Sequence, residues 1–273
     1  MISKDLALKA TFQHPDLNLV YGLGNKVIRE YDMRSAGLSV IREYGLLSKS
    51  DIRRLEDMDK EERNITVGKI RALDSDWSKL LTKKIRETMA EFMRLNEVED
   101  DTLISINNDA ITVIEPRVKK PVLEMGSIKF RCDGEFTALA VVNRIQIFMN
   151  KGSQDLTIRG IGEHGREHSS EGVGKKLLEW LRLLEVGVNP LDVLKKVQMF
   201  RKELIEHTAP QDMYRSLRTG FMTLTGTPSK FSRVRLDLPF DDPAWEELLD
   251  PTETLVDIII PFGDLLIEKS RHR

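Results

Sequence analysis

Three stretches of this chain set chemically capable residues at spacings that local structure can exploit. In Tyr31-Asp32-Met33-Arg34-Ser35-Ala36-Gly37-Leu38-Ser39-Val40-Ile41 a carboxylate closes a β-type run, and serines follow it after three and seven residues. A strand end holds a carboxylate rigidly, and the helix N-terminus beyond it presents unbonded N–H groups to an anion such as a triphosphate. In Ile104-Ser105-Ile106-Asn107-Asn108-Asp109-Ala110-Ile111-Thr112-Val113 a second carboxylate, Asp109, follows two asparagines between two β-type runs. Two carboxylates from neighbouring strands can hold a pair of magnesium ions about 3.5–4 Å apart, the arrangement used for in-line displacement at phosphorus. Between them, Lys60-Glu61-Glu62-Arg63-Asn64-Ile65-Thr66-Val67-Gly68 puts Lys60, Asn64 and Val67 on one helical face. A lysine there meets a triphosphate as a point charge, with Arg53, Arg54 and Arg63 as neighbouring cations.

Each residue also has a plainer use. Asp32 can cap the helix that follows it. Asp109 suits a hairpin turn on backbone grounds. Lys60 stands among Asp57, Asp59, Glu61 and Glu62, and can lie on a solvated face whose ion pairs contribute little. His164 and His168, with Glu163 and Glu167, have the spacing of a helical metal site, but Gly160, Gly162 and Gly165 make that segment a loop. The single cysteine, Cys132, excludes an internal disulfide and a cysteine-built zinc site.

The elements that must position these groups follow from periodicity and stop signals. A short strand spans Lys26 to Tyr31 and ends at Asp32. A helix spans Ala36 to Tyr44, closed by Gly45. Ser48 caps a polar helical hairpin that runs to Arg71. Trp77, Leu80, Leu81, Ile85, Thr88, Met89, Phe92 and Met93 repeat at helical spacing within Asp76 to Leu95. Strands at Thr102 to Ile106 and Ala110 to Ile114 make a hairpin with an Asn/Asp turn. Further strands are predicted at Ile128–Arg131, Ala138–Phe148 and Leu156–Arg159, and helices at Lys175–Glu185 and Pro190–Glu206, followed by an irregular proline-containing tail.

In this order the three motifs resemble family B DNA polymerases. Asp32, Ser35, Ser39 and Ile41 match the family's D-x-x-S-L-Y-P-S-I-I residue for residue, with Val40 for isoleucine. Asp109 falls on the second aspartate of the hairpin motif D-T-D-S-I-F-V, where Asn107 replaces the first aspartate and Ala110 the serine. Lys60, Asn64 and Gly68 match the fingers motif K-x-x-x-N-S-x-Y-G, with Ile65 and Val67 for serine and tyrosine. Arg144 stands near the lysine of a primer-tracking strand whose tyrosine is missing here. The resemblance covers about residues 26–165, with no exonuclease domain and with only 27 residues between Asp32 and Lys60.

The resemblance implies an α+β fold: a polymerase-like palm with an antiparallel sheet and packed helices, short helical fingers and a helical thumb-like C-terminal region, of a minimal and phage-type form. It divides the chain into a palm-like body at 1–165, with the fingers inserted at about 46–75, and a mainly helical region at 166–273. It implies a template-directed nucleotidyltransferase, acting as a DNA or RNA polymerase or in a primase-like way. Asp32 and Asp109 would hold Mg2+ (or Mn2+). Ser35, Ala36, Gly37, Lys60, Arg63 and Asn64 would bind a nucleoside triphosphate, and Arg144, Lys175 and Lys176 a DNA or RNA primer-template. A protein partner could complete the shortened fingers. The departures at Asn107, Val67 and the primer strand support an alternative, a palm without catalysis that binds nucleic acid or serves a structural role. Net charge adds nothing toward nucleic acid, since 42 basic and 44 acidic residues leave −2. No apolar run reaches membrane-spanning length and the N-terminus lacks a signal-peptide shape, so a cytoplasmic location without membrane partners is expected.

Overall fold

A computed structural model describes residues 2–142, 145–152, 156–159, 171–206, 208–209 and 252–271. The elements in chain order begin with α1 (Lys4–Ala7), β1 (Thr11–Gln13), β2 (Leu19–Val20), β3 (Lys26–Met33), α2 (Ala36–Glu43), α3 (Lys49–Asp57), α4 (Lys60–Leu73) and α5 (Ser75–Leu95). They continue with β4 (Leu103–Asn107), β5 (Ala110–Pro116), β6 (Glu124–Met125), β7 (Ile128–Val142), β8 (Ile145–Asn150) and β9 (Leu156–Arg159). Three helices follow, α6 (Glu171–Glu185), α7 (Pro190–Ile205) and α8 (Thr252–Arg271). The chain divides into two compact units, residues 1–17 with 24–135 and residues 18–23 with 136–273. The boundary expected near residue 165 lies outside the described residues. Among those residues, no helix is long and apolar enough to cross a membrane.

The first unit is an antiparallel sheet packed against helices. Its strands run in the order β1-β4-β5-β3-β7. β3 pairs with β5 from Lys26↔Pro116 to Asp32↔Ala110, and β4 with β5 through the hairpin. Successive strand side chains alternate between faces, so Tyr31 and Met33 share one face and Asp32 takes the other. Tyr31 and Met33 are each 1% exposed and pack with Val40 and Ile41 of α2 and with Met89, Phe92 and Met93 of α5. The buried residues of α5 include Leu81, Met89, Phe92 and Met93, a stripe at helical spacing. Phe92 stacks on Phe130 at 3.9 Å and meets the Tyr31 ring at 5.4 Å. The Tyr31 hydroxyl donates to the Glu115 carboxylate at 2.5 Å, and burial followed by that bond pushes the phenol pKa up. These contacts fix β3, the strand that carries Asp32, from behind.

In the second unit, β2 pairs with the latter part of β7 (Leu19↔Ala140), β7 with β8 (Leu139↔Phe148) and β8 with β9 (Ile147↔Ile158). Ala138, Ala140 and Ile147 pack with Trp180 and Leu181 of α6, Val197 and Phe200 of α7 and Phe262 of α8. The Trp180 ring lies 5.7 Å from both Phe200 and Phe262.

Three sequence expectations need correction. The runs at Ile128–Arg131 and from Ala138 belong to one strand, because β7 continues unbroken through Gly134 to Val142. The expected strand Ala138–Phe148 is instead the two arms of a hairpin, with β8 folding back on β7. Between the apolar residues of the two arms stand Asn143 and Arg144, too brief a polar break to separate a turn from a single long strand by hydropathy alone. The tail is not irregular throughout: α8 is a 20-residue helix despite Pro261. Ile259, Phe262 and Leu266 recur at helical spacing and are fully buried, and that packing outweighs the donor that proline removes.

Candidate active site

Asp32 is the next-to-last residue of β3, and its Cα partner across the ladder is Ala110, the residue after Asp109. The Met33 N–H donates to the Asp109 carbonyl at 2.9 Å, so the hairpin tip is tied to the end of β3. Asn108 turns the tip with a left-handed φ of 55°, and its N–H donates to the Ala10 carbonyl at 2.7 Å. Asparagine tolerates that conformation better than most residues. Asp32 and Asp109 therefore come from adjacent strands, and both line one cavity of about 600 Å3.

Asp32 does not cap α2. The N-cap is Ser35, whose side chain makes no capping bond and whose backbone is left-handed at φ 47°, ψ 53°. By contrast, Ser48, Asp59 and Asp74 cap α3, α4 and α5 through their side chains, and each of those helices has an acidic first turn. The first turn of α2 has neither device. Ser35, Ala36, Gly37 and Leu38 line the cavity there, so the positive end of α2 is presented to it.

The opposite walls come from α4 and α5. Lys60, Arg63, Asn64, Val67, Gly68 and Arg71 recur every three or four residues along α4 and all line the cavity. The Asp59 carboxylate beside Lys60 caps α4, accepting from the Glu62 N–H at 2.8 Å, and does not line the cavity. Leu81, Thr82, Ile85 and Arg86 line it from α5. Arg71 is laid across α5, donating to the Ser78 hydroxyl at 3.4 Å and the Thr82 hydroxyl at 3.1 Å.

The cations of this cavity stand apart from its carboxylates. Among the described residues, none of Lys60, Arg63, Arg71 and Arg86 has a carboxylate within ion-pair distance. Elsewhere on α5, Lys84 pairs with Glu87 at 2.9 Å and Arg94 with Glu91 at 2.6 Å. Asp32, 31% exposed, has its carboxyl pKa raised, first by burial and then by the negative charges of Asp109 and Asp133. Arg131 and Lys60 oppose that rise. Arg131 Nη2 lies 3.7 Å from Asp32 Oδ2, while its closest carboxylate is Asp133 on the same strand.

The geometry brings together Asp32, Ser35, Ala36, Gly37, Lys60, Arg63, Asn64 and Asp109. Arg53 and Arg54 are exposed on α3 and do not line the cavity. Lys175 and Lys176 belong to α6 of the second unit, where Lys176 is paired with Glu179 at 3.0 Å. Arg144, His164 and His168 lie outside the described residues. Sequence reasoning missed Arg71 and Arg86 at the cavity and Arg131 and Asp133 beside Asp32. Arg71 carried a signal, since it continues the helical face of Lys60, Asn64 and Val67. The other three depend on which elements pack together.

Among the described residues, no group of three or more histidine, cysteine, aspartate or glutamate side chains could hold a metal ion. The protein would supply two carboxylates, Asp32 and Asp109. That set fits magnesium or manganese, which bind through one or two carboxylates and complete their shells with water and substrate phosphate oxygens. The negative charge that raises the Asp32 pKa is of the sign such an ion neutralises.

The chain belongs to a bacteriophage protein family: the family described as Bacteriophage PBS1 gene 130 protein matches it over residues 7–230. No curated protein matches it.

Proposed function

We propose that the first unit is a minimal family B polymerase-like palm and that the protein is a template-directed nucleotidyltransferase. The observation that carries this reading is the composition of one cavity. It is lined by two carboxylates from adjacent strands, an unblocked helix N-terminus and four cations without carboxylate partners. Such a cavity suits a metal-bound polyphosphate, and its volume is within the range of about 300–1,000 Å3 usual for small-molecule sites. The helix-backed sheet, with the Asp32 strand beside the Asp109 hairpin, agrees with a palm. α3 and α4 take the place of short fingers.

In this reading the 3′-hydroxyl oxygen of a primer, or of a first nucleotide, attacks the α-phosphorus of a nucleoside triphosphate. A new P–O bond forms, the bond to the β-phosphate bridging oxygen breaks, and pyrophosphate leaves with the hydroxyl proton passing to solvent. Asp32 and Asp109 would hold divalent ions, which would supply acidification of the attacking hydroxyl and neutralisation of the leaving phosphates. Lys60 and Arg63 bind the phosphates from α4, the N–H groups at Ala36 and Gly37 bind them from α2, and Asn64 offers its amide to the same substrate. Arg144, Lys175 and Lys176 are the residues the family resemblance assigns to a primer-template backbone. The shortness of the fingers leaves room for a protein partner to complete them.

The test is incorporation of labelled nucleotides on primed and unprimed DNA and RNA templates, with and without Mg2+ or Mn2+. Metal-dependent incorporation by the wild type, abolished in folded Asp32→Asn and Asp109→Asn, is the expected result. Nucleic-acid binding without turnover under every condition would replace this reading with that of a palm that binds but does not catalyse.

A further inference from the structure

Arg86 belongs to none of the motifs above, yet its Nε is buried and has no hydrogen-bond partner. It lies on α5 between the cavity and a groove of about 780 Å3 beside α1, and lines both. A buried guanidinium N–H without an acceptor is costly, and an arginine presents its donors as a planar fork matched to phosphate oxygens. On the other wall, Lys60 and Arg71 are eleven residues apart on α4, which is about 16 Å along the axis. One diphosphate cannot reach both. Arg71 is tied to Ser78 and Thr82 of α5, and Arg86 follows Thr82 by one helical turn on that helix, so α5 offers a second cation on the wall facing α4.

We infer that Arg86 is a phosphate ligand acting from the wall opposite α4, and that it makes the cavity select a polyphosphate over a single phosphate. This rests on reading the cavity as a triphosphate site. A lone phosphate can be satisfied by Lys60, Arg63 and the α2 N-terminus alone. A diphosphate offers a second group, and gripping it from two helices requires the arginine fork.

The experiment is calorimetric titration of the full chain, in excess Mg2+, with inorganic pyrophosphate and separately with inorganic phosphate. The wild type is expected to bind pyrophosphate more tightly. In Arg86→Gln, pyrophosphate affinity is expected to fall about ten- to a hundredfold, the range for losing a charge-assisted bond, with phosphate affinity unchanged. Arg86→Lys keeps charge and length but not the fork, and is expected to fall between the two, which also covers the case in which Arg86→Gln does not fold. Unchanged pyrophosphate binding in either variant would overturn the assignment while leaving the triphosphate site standing. Equal losses for the two anions would reduce Arg86 to a general electrostatic effect and overturn the selectivity. Failure of the wild type to bind pyrophosphate would overturn both the inference and the reading beneath it.

Discussion

Ser35 is a serine held in the left-handed region, at φ 47° and ψ 53°, in the turn that delivers α2 to the cavity. That conformation costs a residue with a Cβ about 1–2 kcal/mol. Replacing Ser35 by glycine removes the clash but adds unfolded-chain entropy of about 0.5–1 kcal/mol. The hydroxyl is exposed and makes no capping bond, so little else is lost. Ser35→Gly is therefore expected to stabilise the protein by up to about 1.5 kcal/mol, read as a rise in the urea midpoint at unchanged slope. Two controls calibrate the result. Ser35→Ala keeps the strained Cβ and loses no cap, so it should change stability by less than about 0.5 kcal/mol. Ser48→Ala removes a working cap, in which the Ser48 hydroxyl accepts from the Asp51 N–H at 3.2 Å, and should cost about 1 kcal/mol. A loss of stability in Ser35→Gly, or a loss in Ser35→Ala as large as in Ser48→Ala, would show that the Ser35 hydroxyl does cap α2. The free N-terminus assigned to the phosphates would then be occupied by the protein itself.

Two further outcomes follow from the same cavity. Asp32 binds its proton more tightly folded than unfolded, so the wild type loses stability as pH rises from the ordinary carboxylate value of 3.8 through the raised folded one. Asp32→Asn should accordingly be more stable than the wild type in metal-free buffer at pH 8, with the gain shrinking toward pH 3.5 in urea denaturation, and no gain at pH 8 would contradict the charge assignment. Gly37 lines the cavity and stands where D-x-x-S-L-Y-P-S-I-I has its tyrosine, a residue that in the resemblance would pack under the incoming sugar; a Cβ at Gly37 would meet only Val67 Cγ1, at an ordinary 3.7 Å. The wild type should therefore accept ribonucleoside triphosphates comparatively well, and Gly37→Tyr should reject them, in side-by-side incorporation assays; equal selectivity in the two would remove Gly37 from beneath the sugar.

How much of this could be read from the chain depended on the range of the interaction. The helical face of Lys60, Asn64 and Val67 and the apolar stripe of α5 are local periodicities, and both appear as expected. The Asn107-Asn108-Asp109 turn is local too, and Asn108 takes the left-handed conformation that such a turn requires. Arg86 could not be found this way. Its neighbours on α5 point to a helix face, but only the packing of α5 behind the hairpin turns that face into a cavity wall. Arg131 and Asp133 were hidden for the same reason, since their approach to Asp32 depends on β7 pairing beside β3. The β7–β8 reversal and α8 failed for another reason: a two-residue polar break, Asn143-Arg144, does not by itself tell a hairpin from a continuous strand, and Pro261 argued against a helix that tertiary packing sustains.

In the proposed function Asp32 and Asp109 jointly hold divalent ions against a triphosphate. The most direct measurement is electron paramagnetic resonance titration of Mn2+ in the presence of a non-hydrolysable nucleoside triphosphate analogue, comparing the wild type with Asp32→Asn and Asp109→Asn. The expected result is two Mn2+ bound per wild-type chain in the presence of the analogue, spin-coupled at a spacing of about 3.5–4 Å, and loss of the coupled signal in each folded variant. A coupled pair that survives either substitution, or a wild type that binds no Mn2+ beyond that held by the free analogue, would contradict it.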